Sequence, residues 1–182
     1  DDGPSVTDMT VNANGAVVTD ETNQLNTAVT GTASVFTGGT VTLGSDSGTT
    51  DVSLRIDTAN TGLYTTAGNH LITLVADGSN NNIVYGKYDT NNDGTPDTTA
   101  FTVSMTDAGV LTVTQAVALK HGDPTLSDEA VNLSGKLSAV VTATDGDLDV
   151  ASKSVSIGAS ISFKDDGPSV TDMTVNANGA VV

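Results

Sequence analysis

The sequence predicts an all-β protein, an Ig-like or elongated β-sandwich of short antiparallel strands with calcium-binding loops. Three features of the sequence support this prediction. Thirty of the 182 residues are threonine, and threonine, like valine, favours a pleated, half-buried strand over a helix. Short segments of alternating apolar and polar residues are separated by turns that contain glycine. No segment carries the 3.6-residue apolar stripe of a helix.

Alternating apolar residues indicate where the strands lie. Every second residue is mainly apolar in the segments 52–56, 101–105, 137–143 and 155–163, which places those side chains on one face of each strand. The segment 71–76 is apolar on both faces and predicts a central strand that is covered on both sides. Further strands are expected around residues 28–36, 40–44, 82–88, 109–115 and 130–133. Turns are expected at Gly38-Gly39, Asp77-Gly78, Asp93-Gly94, Ala108-Gly109 and Asp145-Gly146.

The net charge is −16, from 22 acidic and six basic residues. Twenty of the acids are aspartate, a residue typical of turns and of oxygen-ligand cation sites. Nucleic acids and anionic membranes bind clustered lysine or arginine, which the sequence lacks, so neither partner is expected. A halophilic or simply soluble acidic surface is the alternative interpretation. The chain has no cysteine, so disulfides are excluded and calcium is the expected staple of an extracellular fold.

A repeat organises the chain. Residues 1–18 recur identically as residues 165–182, at an offset of 164 residues. The repeat predicts one complete unit at 1–164, with a junction motif at 1–4, followed by the start of the next unit at 165–182. No change of composition interrupts residues 3–164, so one domain is expected. An artificial duplication is the alternative, but no tag-like segment precedes the second copy. We therefore expect a monomeric module in a tandem array, with adjacent repeats of the same chain as its partners.

The sharpest motif is DTNNDGTPD at residues 89–97. Its oxygen-bearing residues stand at positions 1, 3, 5 and 9 with glycine at position 6, which reproduces the head of an EF-hand calcium loop. Position 12 is alanine and no helices flank the motif, so a calcium loop between strands is expected. The alternative is a turn rich in aspartate and asparagine, without metal. The expected ligands are Asp89, Asn91, Asp93, Asp97 and, through its carbonyl, Thr95.

A second candidate calcium site is the acidic hairpin, which we define by Asp145, Asp147 and Asp149. Alternate residues of an extended segment lie on one side of it, where three carboxylates would repel one another without a cation. The alternative is an acidic hairpin tip without metal. His121 is metal-capable by type, but histidine is a poor calcium ligand, and a structural turn is expected there.

A third candidate site is the boundary motif, Asp-Asp-Gly-Pro, at residues 1–4 and again at 165–168. Its paired aspartates stand beside a stiff, extended bend set by proline. A calcium ion held there, with acids from a neighbouring loop, would clamp successive repeats at a fixed angle. The alternative is an ordinary polar linker. The expected ligands are Asp1, Asp2, Asp20, Glu21, Asp165 and Asp166.

The acidic hairpin and the boundary motif also carry a resemblance. VTATDGDLD at 141–149, followed by SFKDDGPSV at 162–170, resembles the repeat domains of giant RTX adhesins exported by type I secretion. YDTNNDGTPD at 88–97 and LKHGDP at 119–124 are similar to the same repeats. The resemblance is dense over 83–170 and weak over 20–80. It implies an extracellular stalk module on the surface of a Gram-negative bacterium, secreted unfolded and folded by external calcium.

The expected function is that of a calcium-rigidified stalk or extender module of a large adhesin. No enzyme is expected, because the sequence has no recognisable Ser-His-Asp order, no Gly-x-Ser-x-Gly and no phosphate-binding glycine loop. No segment approaches the apolar length of a membrane span. The alternative is a glycan- or peptide-binding module whose face lies in residues 20–80, and a concave patch with exposed Tyr64 and His70 would favour it. A glycosidase that uses Asp57 and Asp77 is a more distant alternative.

Overall fold

The computed structural model describes residues 2–21, 28–45, 47–123, 126 and 128–166. Within these ranges the regular structure consists of strands and short 3-10 turns, among them Ala13–Gly15 and Gly158–Ser160. The predicted all-β fold class is confirmed. The described residues contain no helix long and apolar enough to cross a membrane. The strands are β1 (Ser5–Val6), β2 (Met9–Val11), β3 (Val17–Asp20), β4 (Ala28–Ser34), β5 (Phe36–Gly38), β6 (Val41–Thr42), β7 (Thr49–Ile56), β8 (Asn60–Tyr64), β9 (Leu71–Ala76), β10 (Ile83–Tyr88), β11 (Thr98–Met105), β12 (Val110–Gln115), β13 (Ala130–Asn132), β14 (Leu137–Thr144), β15 (Val150–Ser156) and β16 (Ile161–Lys164).

The largest sheet has six antiparallel strands in the order β4-β12-β11-β10-β9-β8. Three of the predicted turns form its hairpins. Asp77-Gly78 joins β9 to β10, Asp93-Gly94 joins β10 to β11, and Ala108-Gly109 joins β11 to β12. Gly109 has a φ of +78°, which glycine adopts without a steric penalty. Local turn chemistry therefore accounts for these three connections of the sheet.

Strand β9 lies inside the six-stranded sheet, with β8 and β10 as its neighbours. The prediction that both of its faces are covered is wrong. Ile72 and Leu74 are buried, whereas Leu71 and Val75 are only half-buried. One face packs on the core and the other lies partly at the surface, as is common in antiparallel sheets.

Two smaller sheets complete the main framework. One is antiparallel, with the order β15-β14-β7, and its strand β7 packs against β9, β10 and β11. The other has the order β13-β16-β3, in which β16 and β3 run parallel, and β3 contacts β4 and β12. The pairs β1-β6 and β2-β5 are separate two-stranded ladders. The predicted inward face of β14 is fully buried and consists of Leu137, Ala139, Val141 and Ala143.

The segment 155–163 differs from its prediction as one continuous strand. Strand β15 ends at Ser156, a 3-10 turn follows, and β16 then begins at Ile161 in a different sheet. Gly158 makes this change of sheet possible, because a β-carbon there would lie 1.8 Å from the carbonyl oxygen of Leu133. In addition, the N–H of Leu133 donates a hydrogen bond of 3.2 Å to the carbonyl of Gly158. The alternation of apolar residues thus continues across two strands.

A single hydrophobic core joins the sheets. Its largest fully buried side chains include Phe101 on β11 and Phe163 on β16, whose ring centroids lie 4.7 Å apart at an interplanar angle of 43°. Such a tilted aromatic contact links the six-stranded sheet to β16. On β10, Gly86 leaves room for this ring, since a β-carbon there would lie 2.4 Å from Cζ of Phe101. The pairing register between β10 and β11 shifts at the same point, between Gly86 and Lys87.

Candidate metal centre

The acidic hairpin is the turn between β14 and β15. Asp145, Asp147 and Asp149 each place a carboxylate oxygen within 4.8 Å of the others, and no other group of three metal-capable acids or histidines does so in the described ranges. The turn is held by the N–H of Asp149, which donates to Oδ1 of Asp145 at 2.9 Å, and by the N–H of Asp145, which donates to the Asp149 carbonyl at 3.1 Å. The three carboxylates predicted to share a side are therefore brought together.

Asp145 is the unusual member of this group. The residue is only 4% exposed, and its Oδ2 is buried without a hydrogen-bond partner. Burial raises the pKa of Asp145, and the neighbouring Asp147 raises this pKa further. A buried carboxylate oxygen without a partner is unfavourable. Either a proton or a cation between the two carboxylates would remove that penalty.

The backbone of the hairpin is strained at one residue. Leu148 has a φ of +75°, and its side chain is exposed. A residue with a β-carbon in the left-handed region costs roughly 1–2 kcal/mol, and such strain concentrates at functional sites. The strained residue lies between Asp147 and Asp149, so this conformation sets the relative positions of two of the carboxylates.

The first copy of the boundary motif lies beside the acidic hairpin. A β-carbon added at Gly3 would lie 3.6 Å from Oδ2 of Asp149, and β1, which follows the motif, contacts both β14 and β15. The carbonyl of Asp2 packs on Gly44, where a β-carbon would approach it to 2.0 Å. Asp1 lies outside the described residues. The structure thus places Gly3 of the boundary motif beside the acidic hairpin.

The loop at 89–97 forms the predicted hairpin turn and uses its own side chains to close it. Asp89 accepts hydrogen bonds from the N–H groups of Asn91 and Gly94, at 3.1 and 2.7 Å. Asp93 accepts from the N–H of Thr95 at 2.8 Å and from the amide of Asn91 at 3.1 Å. Burial disfavours the charged form of Asp89, but these backbone N–H groups outweigh it and lower the pKa.

The loop therefore has the hydrogen bonds of the turn that was expected as the alternative. Its three aspartates do not bring carboxylate oxygens within 4.8 Å of one another in the way that the acidic hairpin does. Asp97 is exposed and accepts a hydrogen bond from the hydroxyl of Thr98 at 2.9 Å. The calcium assignment of this loop stays a prediction.

The second copy of the boundary motif follows β16. The parallel register of β16 and β3 pairs Lys164 with Asp20, so Asp165 continues beside Glu21. Asp165 donates its backbone N–H to the carbonyl of Glu129 at 2.9 Å, and Asp166 donates its N–H to the Asp165 carboxylate at 2.9 Å. Four of the predicted junction ligands therefore lie next to one another within one repeat unit, namely Asp20, Glu21, Asp165 and Asp166. Asp2 does not belong to this group.

A family model adds the relationship of this chain to known sequences. The model described as Domain of unknown function (DUF5801) matches residues 16–158. The chain belongs to the DUF5801 family. The DUF5801 match includes both the 89–97 loop and the acidic hairpin, and it leaves out the two boundary motifs. No curated protein and no solved structure matches the chain.

The DUF5801 domain contains one buried histidine that the sequence interpretation treated as a turn residue. The ring of His121 is 3% exposed, and neither of its nitrogens has a hydrogen-bond partner. Its Nε2 lies 4.0 Å from Oε1 of Glu21, which accepts hydrogen bonds from Leu119 N–H and the amide of Gln115 at 2.9 and 2.7 Å. Burial raises the pKa of Glu21, and the charge of Asp165 adds to that rise. In the sequence, only the metal-capable HGDP segment at 121–124 indicated the pair of His121 and Glu21.

The two aspartates considered for glycoside hydrolysis have structural partners in the DUF5801 domain. Asp57 pairs with Arg55 at 3.0 Å and accepts a hydrogen bond from the hydroxyl of Ser138. Asp77 accepts hydrogen bonds from backbone N–H groups of its turn and from the hydroxyl of Tyr85. These hydrogen bonds lower its pKa, and the one from the N–H of Ser79 has the largest effect. A glycosidase acid requires a raised pKa, so Asp77 does not fit that role.

Proposed function

We propose that this DUF5801 domain is a calcium-binding extender module of a large adhesin on the surface of a Gram-negative bacterium. The observation that carries the proposal is the acidic hairpin, in which three carboxylates converge and one of them, Asp145, has a buried oxygen without a partner. Calcium takes six to eight oxygen ligands, including carboxylates and backbone carbonyls. It therefore suits this group better than metals that prefer nitrogen or sulfur.

The mechanism follows from the charge. Without a cation, the clustered carboxylates repel one another and weaken the fold, which keeps the chain loose for export through a type I secretion channel. Extracellular calcium sites of this class have dissociation constants on the order of 0.1–1 mM. A site with calcium at about ten times its dissociation constant adds roughly 1.4 kcal/mol to the free energy of unfolding. Several such sites are a large share of a domain stability of about 5–15 kcal/mol.

The tandem arrangement explains why acids lie at both boundaries. Because residues 165–166 repeat residues 1–2, the aspartates that end one unit are those that begin the next. Glu21 lies near the first of them, Asp165, in the preceding unit, whereas Asp149 lies beside Gly3 of the same motif in its own unit. In an array, carboxylates of two units would therefore meet at one boundary motif. Calcium held there would restrict the angle between adjacent repeats, which are the partners that we propose.

The resemblance to RTX adhesin repeats supports the same function. It rests on the segments 88–97, 119–124, 141–149 and 162–170, and two of these carry the acidic hairpin and the boundary motif. A stalk module needs stiffness and reach, and it needs no catalytic group. We therefore propose a structural, non-enzymatic role outside the cell.

Thermal unfolding tests the proposal directly. The melting temperature of the 182-residue chain is measured with EDTA, with millimolar calcium and with millimolar magnesium. We expect a marked increase with calcium and a smaller one with magnesium, because magnesium demands a strict octahedral geometry. Equal melting temperatures in EDTA and calcium, or an equal effect of the two metals, would show that the domain is not stabilised by a calcium site.

A further inference from the structure

A cleft of about 470 Å³ opens between the β8–β9 hairpin and the 89–97 loop. It lies within the described residues and is separate from the acidic hairpin, which joins β14 to β15. Ligand sites in proteins are concave and combine apolar surface with a few placed polar groups. The residues that matter for its chemistry are Tyr64, Asn69, His70, Thr73, Asp89 and Asn92.

The lining has both an aromatic surface and planar hydrogen-bonding groups. Tyr64, one of three tyrosines in the chain, is 38% exposed, which is a large fraction for an aromatic residue. The amides of Asn69 and Asn92 and the carboxylate of Asp89 offer donors and acceptors. Pyranose sugars present an apolar C–H face, which packs on an aromatic ring, and hydroxyl groups, which bind amides and carboxylates. The lining therefore matches a saccharide.

The cleft is held in shape before any ligand binds. Three non-glycine residues of the described chain have a positive φ, and two of them, Asn69 at +52° and Asn92 at +58°, line this cleft. Lys120 Nζ donates to Oδ1 of Asn69 at 2.8 Å, which leaves the NH2 group of that amide as a donor. The ring of His70 lies against Tyr88, with 5.6 Å between centroids. Asparagine adopts the left-handed region readily, so these two turns fix the backbone that carries both amides without strain.

The charge of the cleft limits the class of sugar. No lysine or arginine lines it, one aspartate does, and the chain has a net charge of −16. The ammonium of Lys120, beside the cleft, is engaged by Oδ1 of Asn69 at 2.8 Å. A sialic or uronic acid would therefore meet the carboxylate of Asp89 with no lysine or arginine in the lining to pair with it. A neutral pyranose meets no such repulsion.

We propose that the cleft formed by Tyr64, Asn69, His70, Thr73, Asp89 and Asn92 binds a neutral saccharide. The domain is then a weak lectin-like module as well as a spacer, and a tandem array would present one such site in each unit. Repetition would raise the avidity of a weak site. The inference does not depend on the acidic hairpin, which carries the stalk proposal and does not line the cleft. Asp89 and Asn92 belong to the 89–97 loop, whose calcium assignment is a separate prediction.

The test is an NMR titration of the isotope-labelled 182-residue chain in millimolar calcium, with glucose, galactose, mannose and N-acetylglucosamine as the probes. We expect saturable shift changes confined to the cleft for at least one of the four sugars. Tyr64→Ala should weaken binding about tenfold or more, and Tyr64→Phe, which keeps the ring, should retain most of it. Asn69→Gly removes the amide without adding strain at a positive φ and should also weaken binding.

Gly78→Ala is the matched control, because a β-carbon there meets no atom within 4 Å and the residue does not line the cleft. Each variant is accepted only if its melting temperature in calcium shows that it is folded. If Tyr64→Ala does not fold, Asn69→Gly and Tyr64→Phe decide the question. Absence of saturable shifts with all four sugars, equal binding by Asn69→Gly, or preference for acidic glycans or peptides on an array would overturn the inference. Loss of the calcium effect on stability would instead count against the proposed function alone.

Discussion

Gly3 packs against the carboxylate of Asp149, so that a β-carbon at Gly3 would lie 3.6 Å from Oδ2 of Asp149. This contact joins the start of the repeat to a hairpin near its end, 146 residues later in the chain (149 minus 3). A β-carbon at this distance would be in ordinary van der Waals contact, so the boundary motif and the hairpin are neighbours without a forced close approach. A cation bound by Asp149 would lie near the backbone that links one repeat to the next.

Asp145→Asn should remove most of the calcium-dependent stability. Asparagine keeps an oxygen that can accept the N–H of Asp149, but it removes the charge that a cation requires. We expect the melting temperature in EDTA to be equal or higher, because repulsion from Asp147 is relieved, and the increase with calcium to be much smaller. Asp107→Asn, an exposed acid outside the hairpin, is the control. An unchanged calcium effect in Asp145→Asn would place the principal site elsewhere.

The raised pKa of Asp145 predicts a pH dependence. In the calcium-free protein, the folded state binds the proton of this group more tightly than the unfolded state does. Its contribution to stability is therefore present below the ordinary value of 3.8 and is lost as the pH rises through the raised pKa. Calcium competes with that proton, so calcium affinity should fall as the pH is lowered from neutral toward that pKa.

Isothermal titration at several pH values measures this competition. We expect proton release when calcium binds to the parent chain, increasing as the pH is lowered toward the raised pKa. The same titration of Asp145→Asn should show less proton release at every pH. Identical proton release in the two proteins would mean that Asp145 does not exchange its proton for the metal.

Many strands and three hairpins of the six-stranded sheet could be predicted because they depend on local sequence, whereas β1, β2, β3 and β8 were not predicted. The alternation at 137–143 and the glycine at position 109 act over a few residues, and both have the predicted structure. Whether β9 is covered on both faces depends on what packs against it. The split at 155–163 depends on the contact of Gly158 with Leu133, and the pairing of β16 with β3 joins segments far apart in the sequence. These features follow from tertiary structure.

The candidate metal centre was also predicted only in part, because its geometry depends on tertiary structure. The spacing of residues 89–97 gave the clearest motif, since EF-hand ligands come from consecutive positions of one loop. In the structure those side chains bind their own backbone, whereas the weaker motif at 145–149 gathers three carboxylates. The difference is the burial of Asp145, which depends on neighbouring strands and has no local signature. The burial of His121 was missed for the same reason.

Asp93→Ala separates a calcium loop from a turn closed by hydrogen bonds. The side chain of Asp93 binds Thr95 N–H and the Asn91 amide in an exposed loop, so its loss should cost little in EDTA. If the loop binds calcium, the variant should bind one ion fewer, and its effect should add to that of Asp145→Asn, because the two hairpins are separate. A calcium titration with the same number of sites and the same affinities would assign the loop to the turn alone.

Gly86→Ala should destabilise the core. The added carbon would lie 2.4–2.6 Å from three atoms of the Phe101 ring, and overpacking of this kind costs about 1–3 kcal/mol. Gly78→Ala is the control, since nothing lies within 4 Å of its added carbon. Urea unfolding in calcium measures both. Equal midpoints for the two variants would show that the Phe101–Phe163 contact can shift without cost.

The last prediction concerns a chain of two complete repeats. In each unit Asp165, or its equivalent, follows β16 beside Glu21, while the next copy of Gly3 begins a unit whose Asp149 lies against it. Calcium at this boundary would fix the angle between units, because carboxylates from both sides would bind one ion or neighbouring ions. Without calcium, only the proline of the motif restricts the linker. Small-angle scattering should therefore give a longer and narrower distance distribution in calcium than in EDTA.

The comparison must separate bending at the boundary from unfolding of the units. Circular dichroism in EDTA establishes that both repeats are still folded at the temperature of the scattering measurement. Replacing both boundary aspartates, Asp165→Asn and Asp166→Asn, should give the EDTA-like distribution even in calcium, whereas Asp107→Asn should behave like the parent. If the distributions of the folded two-repeat chain are the same with calcium, with EDTA and in the double variant, the boundary motif is a linker and not a clamp. The stiffness of the array would then have to come from contacts between the sheets of adjacent units.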